Sequence, residues 1–299
     1  MCVILKKEPG KEIPFEHLLA SSHRNNDGYG VVVDANGKLI RYGGIKADPE
    51  IAAKEVEKIL NDAKNELAFV HFRLRTRGSV DEENLQPIRL LSKEDGDDMD
   101  MFFLHNGTIT DFKSANHSDG PSDSLLFAQQ VIEPLVRRSA AFRGNEHVIT
   151  DPLIPTICRA YGDWSRFALV DSFGRNLIIN EESGEKQAYG WASNKASLDP
   201  KNFEKRAKII SPSGWPQSFA SGNPSIQAKM EKNIFRDQSD LRTPPYQRET
   251  ISSSTDFVLE DFHYLSEREI EELVESHPKL SALLILDLIE YHYNKTVSA

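Results

Sequence analysis

The first residue with conspicuous chemistry is Cys2, which directly follows Met1. Removal of Met1 would leave a thiol and a free α-amine on the same residue. The amine, with an ordinary pKa of about 7.7 to 8.0, could accept the proton of the thiol, whose free pKa is about 8.5. Nucleophile and base would then belong to one residue, and no catalytic histidine would be required. The second cysteine, Cys158, stands in an apolar stretch and is predicted to be a small buried side chain.

Five polar clusters follow Cys2, each beside the end of a predicted strand, where active-site loops tend to lie. In chain order they are HRNNDGYG (residues 23–30), HFRLRTRG (71–78), NLQP (84–87), HNG (105–107) and SDS (122–124). A single cluster can arise by chance, and so can a cysteine at position 2. Five clusters in order behind Cys2 form a far more specific signal.

Together these clusters resemble the class II glutamine amidotransferases. This is a family of N-terminal-nucleophile (Ntn) hydrolases with a pattern close to Met-Cys, HRGxDGxG, HxRxATxG, NxQP, HNG and SD. The resemblance covers roughly the first two thirds of the 299 residues and is stronger to small stand-alone members than to large biosynthetic synthases. It implies an α+β fold of the family's type, a four-layer αββα sandwich of two antiparallel sheets between helices.

The resemblance also implies how a glutamine side-chain amide would be hydrolysed. Cys2 would form a glutamyl thioester and release ammonia, and water would then release glutamate. Asn106 and Gly107 match the oxyanion-hole pair, in which a side-chain amide and a backbone N–H face the tetrahedral oxygen. Arg73 matches the clamp for the α-carboxylate, and Asp123 matches the carboxylate that receives the α-ammonium.

Three further residues match the family pattern with supporting roles. Thr76 and Gly78 would support the loop and contact the substrate. Asn26 belongs to a segment that mainly supports the nucleophile strand, and it would make a second contact to the substrate.

Several of these residues have a purely structural alternative. The HNG cluster could be an ordinary Asn-Gly turn after a strand. Arg73 could form a surface ion pair, and Asp123 could be a helix N-cap, which is compatible with function. His71 lies inside an apolar strand and is predicted to be a hydrogen-bonded core residue rather than a base.

The sequence departs from the family pattern in places. Asn25 replaces a glycine, Arg75 replaces a small residue before Thr76, and Asp111 stands where asparagine is frequent. A long cation at Arg75 could narrow the substrate pocket or contact a partner. His23 and Arg24 match the pattern, but a charged turn is the simpler interpretation.

Local patterns predict the elements that must position these clusters. Asn36-Gly37 predicts a hairpin within residues 31–40, and Asp48-Pro49 predicts the start of an amphipathic helix. Buried strands are expected at residues 67–72 and 101–104, and a helix at 124–136 with Ser122 or Asp123 near its start. A second hairpin is expected at residues 167–179, turning at Phe173-Gly174.

The organisation changes after residue 210. We expect an Ntn domain over residues 2–210, an irregular linker or draped arm over 211–256, rich in Ser, Pro, Gln and Asn, and a helical segment over 257–299. Ser266 and Glu269 form a capping box, and a later helix carries an apolar stripe that must pack on the main domain or on another chain. A homodimer through these helices is one expectation.

Composition limits the class of partner. The 36 Lys and Arg against 46 Asp and Glu give a net charge of −10, which disfavours nucleic acid as the main partner. The longest apolar run is too short to cross a membrane, and the N-terminus lacks a secretory pattern, so the expected location is cytoplasmic. Without a CxxC motif, a Cys/His cluster or a P-loop, we expect neither a metal nor a cofactor.

Three hypotheses for function remain open. The first is a glutaminase subunit that supplies ammonia to a separate synthase or ligase. The second is a γ-glutamyl amide hydrolase acting alone with the same residues. The third is a non-catalytic Ntn scaffold that binds a partner through its C-terminal region, which the joint presence of nucleophile, clamp and oxyanion residues disfavours.

Overall fold

The structure is a computed structural model that describes residues 2–45, 48–112 and 119–203. Met1, the predicted arm at 211–256 and the predicted helical segment at 257–299 lie outside the described residues, so those predictions stay predictions.

The described residues form an α+β fold with two antiparallel sheets, as the sequence predicted. The six-stranded sheet has the order β3-β2-β4-β1-β10-β9, and the four-stranded sheet has the order β5-β6-β7-β8. The strands are β1 Val3–Lys7, β2 Tyr29–Ala35, β3 Lys38–Gly44, β4 Ala68–Phe72, β5 Ile88–Leu91, β6 Met101–Asn106, β7 Arg166–Asp171, β8 Asn176–Ile179, β9 Glu185–Gln187 and β10 Gly190–Ala192. Strand β1, which begins directly after Cys2, therefore lies inside its sheet between β4 and β10.

Helices accompany both sheets. They are α1 Phe15–Arg24, α2 Pro49–Asp62, α3 Asp123–Phe127, α4 Glu133–Arg143 and α5 Leu153–Tyr161, with 3-10 turns at Lys93–Asp95, Asn145–Thr150, Glu181–Ser183 and Lys195–Leu198. A π-helical turn at Ala128–Ile132 joins α3 to α4. Pro134 lies at the start of α4 and has no N–H to donate to the preceding turn, which accounts for the wider turn there.

Three hydrophobic clusters form the core of the described residues. One joins Val3 and Leu5 of β1 to α1 and α2, and another joins Met101 and Phe103 of β6 to the helices from α3 to α5. The third contains residues of both sheets, among them Ile4 of β1 and Phe102 and Leu104 of β6. Successive side chains of β1 and β6 therefore alternate between a helix-packed face and the face shared by the two sheets.

Most of the locally predicted elements are confirmed. Asn36 and Gly37 both have positive φ between β2 and β3, as a type I′ hairpin requires. Asp48 caps α2 by accepting hydrogen bonds from the N–H groups of Glu50 and Ile51. The interpretation of His23 and Arg24 as a charged turn is wrong, because both residues form the last turn of α1.

Within the described ranges, no helix has the length and apolar character that a membrane span needs.

Candidate active site

The position of Cys2 follows from strand register. Val3 pairs with Phe72, so the residue before β1 lies beside the residues that follow β4. The Cys2 Sγ atom lies 3.4 Å from both the N–H and the carbonyl oxygen of Leu74, with which it can exchange hydrogen bonds. Burial raises the pKa of the Cys2 thiol, so the thiol needs a base to become a nucleophile at neutral pH.

Arg73 directly follows β4 and is almost fully buried, with 4% of its surface exposed. Its Nη2 donates to the carbonyl oxygen of Arg77 at 3.3 Å, while Nη1 is buried and has no hydrogen-bond partner in the described part of the chain. A buried guanidinium with an unused donor is costly unless an anion completes it, which fits the predicted carboxylate clamp and excludes the surface ion pair.

The loop before β2 braces the segment that carries Arg73. Asp27 donates its N–H to the Arg73 carbonyl at 3.0 Å and accepts at Oδ2 from the Arg75 N–H at 2.6 Å. The Arg73 N–H donates to the carbonyl of Gly28 at 2.8 Å. Asn26 is half-buried in this loop and does not line the recess described below.

Asp123 is the first residue of α3, but it is not the helix cap. Ser122 is the cap, since its Oγ accepts from the Leu125 N–H at 3.2 Å. The Asp123 Oδ2 atom accepts from the Ile109 N–H at 2.8 Å. Burial raises the pKa of this carboxyl, and the hydrogen bonds it accepts together with the nearby Arg77 oppose that rise.

The segment before Asp123 is held by the second and third polar clusters. Asn84 accepts from the Ser122 N–H at 2.6 Å and donates to the Gly120 carbonyl at 3.0 Å. Gly78 has a φ of +76°, and a Cβ there would lie 2.8 Å from the Ser122 nitrogen. Gly78 and Asn84 therefore support Asp123 from outside the recess.

Asn106 and Gly107 lie at the end of β6. Asn106 is fully buried, and its Nδ2 donates to Ser193 Oγ at 2.8 Å, while its Oδ1 has no partner within the described residues. A Cβ at position 107 would lie 2.0 Å from Ser165 Oγ and 2.9 Å from His105 Nε2. Gly107 is thus required by close packing, which an ordinary Asn-Gly turn would not explain.

His105 and Gln86 complete the lining near Gly107. Gln86 Oε1 accepts from the His105 N–H at 2.5 Å, and His105 Nδ1 lies 2.7 Å from Ser124 Oγ. Burial lowers the pKa of His105 to about 3. His71 is also fully buried, and burial, with a smaller effect from Arg73, lowers its pKa to about 3. Both rings are therefore neutral and very weak bases.

These elements enclose one recess around the thiol. It is lined by Cys2, Arg73, Leu74, Arg75, Thr76, Arg77, Gln86, His105, Gly107, Ser122, Asp123 and Ser124. Of the residues inferred from the sequence, Cys2, Arg73, Thr76, Gly107 and Asp123 meet there, whereas Asn106, Gly78 and Asn26 do not line the recess. The recess is narrow, with about 20 Å³ open to the centres of water molecules, and Arg75 and Arg77 are among its walls.

A larger cavity of about 230 Å³ lies elsewhere, between Asp97, Asp98, Arg137 and Asn145. Its charged groups already pair with each other, since Arg137 Nη1 lies 2.5 Å from Asp97 Oδ1. Its lining contains no cysteine, serine or threonine, so the smaller recess, which holds the Cys2 thiol, is the better candidate for chemistry. No group of metal-ligating side chains occurs in residues 2–45, 48–112 or 119–203.

Sequence reasoning missed several residues that shape the site. Ser193 and Ser165 lie in stretches without a chemical motif, and only the pairing of distant strands brings them to Asn106 and Gly107. Arg77 and Ser124 stood inside recognised clusters, but no role was inferred for them.

Comparisons with known proteins give structural likenesses of low similarity. No protein-family model matches the chain, and no curated protein matches it. Among solved structures, it is similar to glutamine phosphoribosylpyrophosphate amidotransferase from B. subtilis, with 18% identity and a TM-score of 0.39 over 67% of this chain and 43% of that one. It is also similar to a structure described as the allosteric regulatory enzyme of purine biosynthesis, with 17% identity, a TM-score of 0.43 and the same coverages of 67% and 43%.

A third likeness is to a glutamine aminotransferase class-II domain protein from Silicibacter pomeroyi. It has 14% identity and a TM-score of 0.32, and it covers 64% of this chain and 87% of that one. The matched region spans less than half the length of the first two proteins.

Proposed function

We propose that the chain hydrolyses the side-chain amide of glutamine through a Cys2 thioester, as the glutaminase half of a class II glutamine amidotransferase. The observation that carries the proposal is that the Cys2 thiol, the incompletely bonded Arg73 guanidinium and the Asp123 carboxylate line the same recess. A thiol nucleophile, a cation for the α-carboxylate and an anion for the α-ammonium are the groups that this substrate requires.

The proposed chemistry begins with proton transfer within Cys2. The weakly basic His105 is a poor base, and so the α-amine of processed Cys2 takes the thiol proton. The sulfur then attacks the γ-carbonyl carbon, and the developing oxyanion accepts hydrogen bonds from the Gly107 N–H and the Asn106 amide. The protonated amine gives its proton to the leaving nitrogen, ammonia departs, and water cleaves the thioester to release glutamate.

The wider context belongs to the same proposal. We propose that the two sheets and their helices form the four-layer αββα sandwich of Ntn hydrolases, because the third cluster joins both sheets and the other two join each sheet to helices. The ammonia would pass to a synthase or ligase that is a separate chain, and the residues after 210 would contact that partner or a second copy.

The experiment compares Cys2→Ala with the matched variant Cys158→Ala. Cys158 is the second thiol and is fully buried in α5. Intact mass first establishes that the purified chain has lost Met1. The wild type and Cys158→Ala should release glutamate from glutamine and form a covalent adduct with 6-diazo-5-oxonorleucine. Cys2→Ala should do neither while keeping its circular dichroism spectrum. If the wild type has lost Met1 and still shows neither turnover nor adduct, the proposed hydrolysis is wrong, and the non-catalytic scaffold is the hypothesis that remains.

A second candidate function is supported by the cations of the recess. The exposed guanidinium of Arg75 has no hydrogen-bond or ion-pair partner among the described residues. Arg77 donates to the Phe112 carbonyl at 3.4 Å and lies close enough to Asp123 to affect its pKa. Binding of glutamine requires only one cationic side chain, for its α-carboxylate, and one anionic side chain, for its α-ammonium. The surplus positive charge favours a γ-glutamyl amide whose amine part carries another anionic group, such as a γ-glutamyl amino acid.

Substrate comparison decides between the two candidates. A γ-glutamyl amide hydrolase should turn over γ-glutamylglutamate with a higher kcat/KM than glutamine or γ-glutamylmethylamide, and Arg75→Ala should remove that preference. An ammonia-supplying glutaminase should prefer glutamine, and Arg75→Ala should leave the preference unchanged.

A further inference from the structure

Ser193 lies directly after β10 and fastens the strand that carries the nucleophile. Its N–H donates to the Ile4 carbonyl at 2.8 Å, and its Oγ accepts from the Ile4 N–H at 2.8 Å. Ile4 is two residues from Cys2, and Ser193 is fully buried. The backbone and side chain of one serine thus fix the start of β1.

The same hydroxyl reaches the other sheet. Ser193 Oγ lies 2.8 Å from Nδ2 of Asn106, the last residue of β6, and Asn106 is fully buried as well. One oxygen therefore connects the nucleophile strand of the six-stranded sheet with the proposed oxyanion residue of the four-stranded sheet. Any movement of this serine would be transmitted to both.

The hydrogen-bond inventory of this pair depends on the orientation of the carboxamide. With Asn106 Nδ2 toward Ser193, the serine hydroxyl accepts two N–H hydrogen bonds, one from Ile4 and one from Asn106. Among the described residues, the hydroxyl hydrogen then has no acceptor, and the buried Asn106 Oδ1 has no donor. A half-turn of the carboxamide lets the hydroxyl donate to Oδ1 and places Nδ2 where the unpaired atom was. That orientation satisfies Ser193 completely and leaves a buried donor without a partner.

We propose that Ser193 is a positioning residue that holds Asn106 Oδ1 through its hydroxyl and so presents Asn106 Nδ2 to the developing oxyanion. The inference rests on the proposed amide hydrolysis. The unpaired donor is costly in the free protein and is satisfied when the tetrahedral oxygen forms, which is the differential interaction that lowers a barrier. Ser193 itself does not line the recess and acts through Asn106.

The test is a double-mutant cycle on the full chain. Ser193→Ala should lower kcat by at least about 10-fold, up to the roughly 10² to 10³-fold that loss of an oxyanion donor costs, with KM changed by less than about 2-fold. Asn106→Ala should show a similar loss. The double variant should be no slower than Asn106→Ala alone, because Ser193 has nothing left to orient.

Controls separate positioning from a general structural role. Ser197→Ala removes another fully buried hydroxyl from the same segment, one that accepts from Asn25 Nδ2 at 3.3 Å, and it should leave kcat unchanged. Alkylation of Cys2 by iodoacetamide needs no oxyanion donor, and its rate should be equal in the wild type and Ser193→Ala. If Ser193→Ala does not fold, Ser193→Thr and Ser193→Cys replace it. Ser193→Thr keeps a hydroxyl donor and should retain kcat, whereas Ser193→Cys has only a weakly donating thiol and should lose it.

Four outcomes would overturn the proposal. If the kcat losses of Ser193→Ala and Asn106→Ala add up in the double variant, Ser193 is a structural residue only. The same conclusion follows if Ser193→Ala lowers the rate of Cys2 alkylation as much as it lowers kcat. A Ser193→Ala variant with wild-type kcat would remove the proposal and leave the amide hydrolysis intact. A processed wild type that releases no glutamate would remove both.

Discussion

At the scale of single residues, the proposed roles separate substrate binding from transition-state stabilisation. The unpaired Arg73 Nη1 would bind an anion that the substrate carries from the start, whereas the oxyanion that Asn106 and Gly107 would stabilise appears only during the reaction. Groups of the first kind change KM, and groups of the second kind change kcat.

The first prediction uses this separation. Arg73→Ala should mainly raise KM for glutamine, and Asn106→Ala should mainly lower kcat by about 10² to 10³-fold, as measured by steady-state glutamate release. Arg89→Ala is the control, because Arg89 is a surface arginine that pairs with Glu94. Effects of Asn106→Ala on KM alone would contradict its assignment.

The second prediction concerns the two buried histidines. Their folded pKa values of about 3 lie below the ordinary value of 6.5, so the unfolded chain binds more protons and stability falls as the pH falls below 6.5. Each histidine should lower the free energy of unfolding by roughly 1 kcal/mol per pH unit between pH 6.5 and 5. Urea titrations measure this slope, and His71→Gln should reduce it. The same slope in the variant would contradict the prediction.

The sequence indicated several residues that lie together in the recess, but it did not indicate the contacts that hold them there. Cys2, Arg73 and Asp123 could be inferred because their motifs stand in order along the chain. Ser193 could not, since its role depends on β10 pairing with β1 and on Asn106 reaching across from β6. Such contacts join residues that are 87 or more positions apart, and no local pattern encodes them.

At the scale of elements, strand β1 is held at both ends by polar contacts. Ser193 fixes its start, and Lys7 fixes its end by donating from a buried Nζ to the carbonyls of Lys64 at 2.9 Å and Glu66 at 2.8 Å. Burial lowers the pKa of Lys7, and nearby Glu66 and Glu12 oppose that change. The strand that follows Cys2 therefore depends on the turn between α2 and β4.

The third prediction tests this contact with neighbouring lysines. Lys7→Ala should lower the free energy of unfolding by about 1 to 3 kcal/mol, because two carbonyls lose a charged donor. Lys6→Ala removes a lysine that pairs with Glu8 at 2.7 Å, and it should change stability by less than about 0.5 kcal/mol. Chemical denaturation of both variants gives the comparison, and equal losses would show that the buried donor has no special role.

Elements that contain characteristic turn or capping residues were predicted, whereas a helix whose buried face mixes polar and apolar residues was missed. The hairpin at Asn36-Gly37 and the capped helix α2 carry turn and capping residues whose geometry is nearly obligatory. Helix α1 was missed because its buried face includes Ser21 and Ser22, which interrupt the helical periodicity of apolar residues. Helix α5 contains Pro155, but the proline lies in the first turn, where its missing N–H costs nothing.

At the scale of the whole molecule, the five polar clusters inferred from the sequence all end by Ser124, well before residue 210. Among the described residues, those that line the recess likewise run from Cys2 to Ser124. We therefore expect that the hydrolytic chemistry does not need the residues after 210, which the sequence suggests for partner contacts.

The fourth prediction is that a chain ending at residue 210 keeps its reaction with 6-diazo-5-oxonorleucine. Size-exclusion chromatography of the full and shortened chains should show loss of a dimer, or of a co-purifying partner, in the shortened one. An insoluble or unreactive shortened chain would mean that the C-terminal region belongs to the core of the catalytic domain.

The pairing of β1 with β10 also sets an order in time. Cys2 is synthesised well before β10, because Leu5 cannot pair with Ala192, nor Ile4 with Ser193, until nearly 190 more residues have been added. At about 5 to 20 residues per second, that delay is roughly 10 to 40 s. During this interval β1 lacks β10, so the residues before it stay accessible to the aminopeptidase that the proposed removal of Met1 requires. A chain stalled before Ser193 should accordingly carry a processed but catalytically silent cysteine.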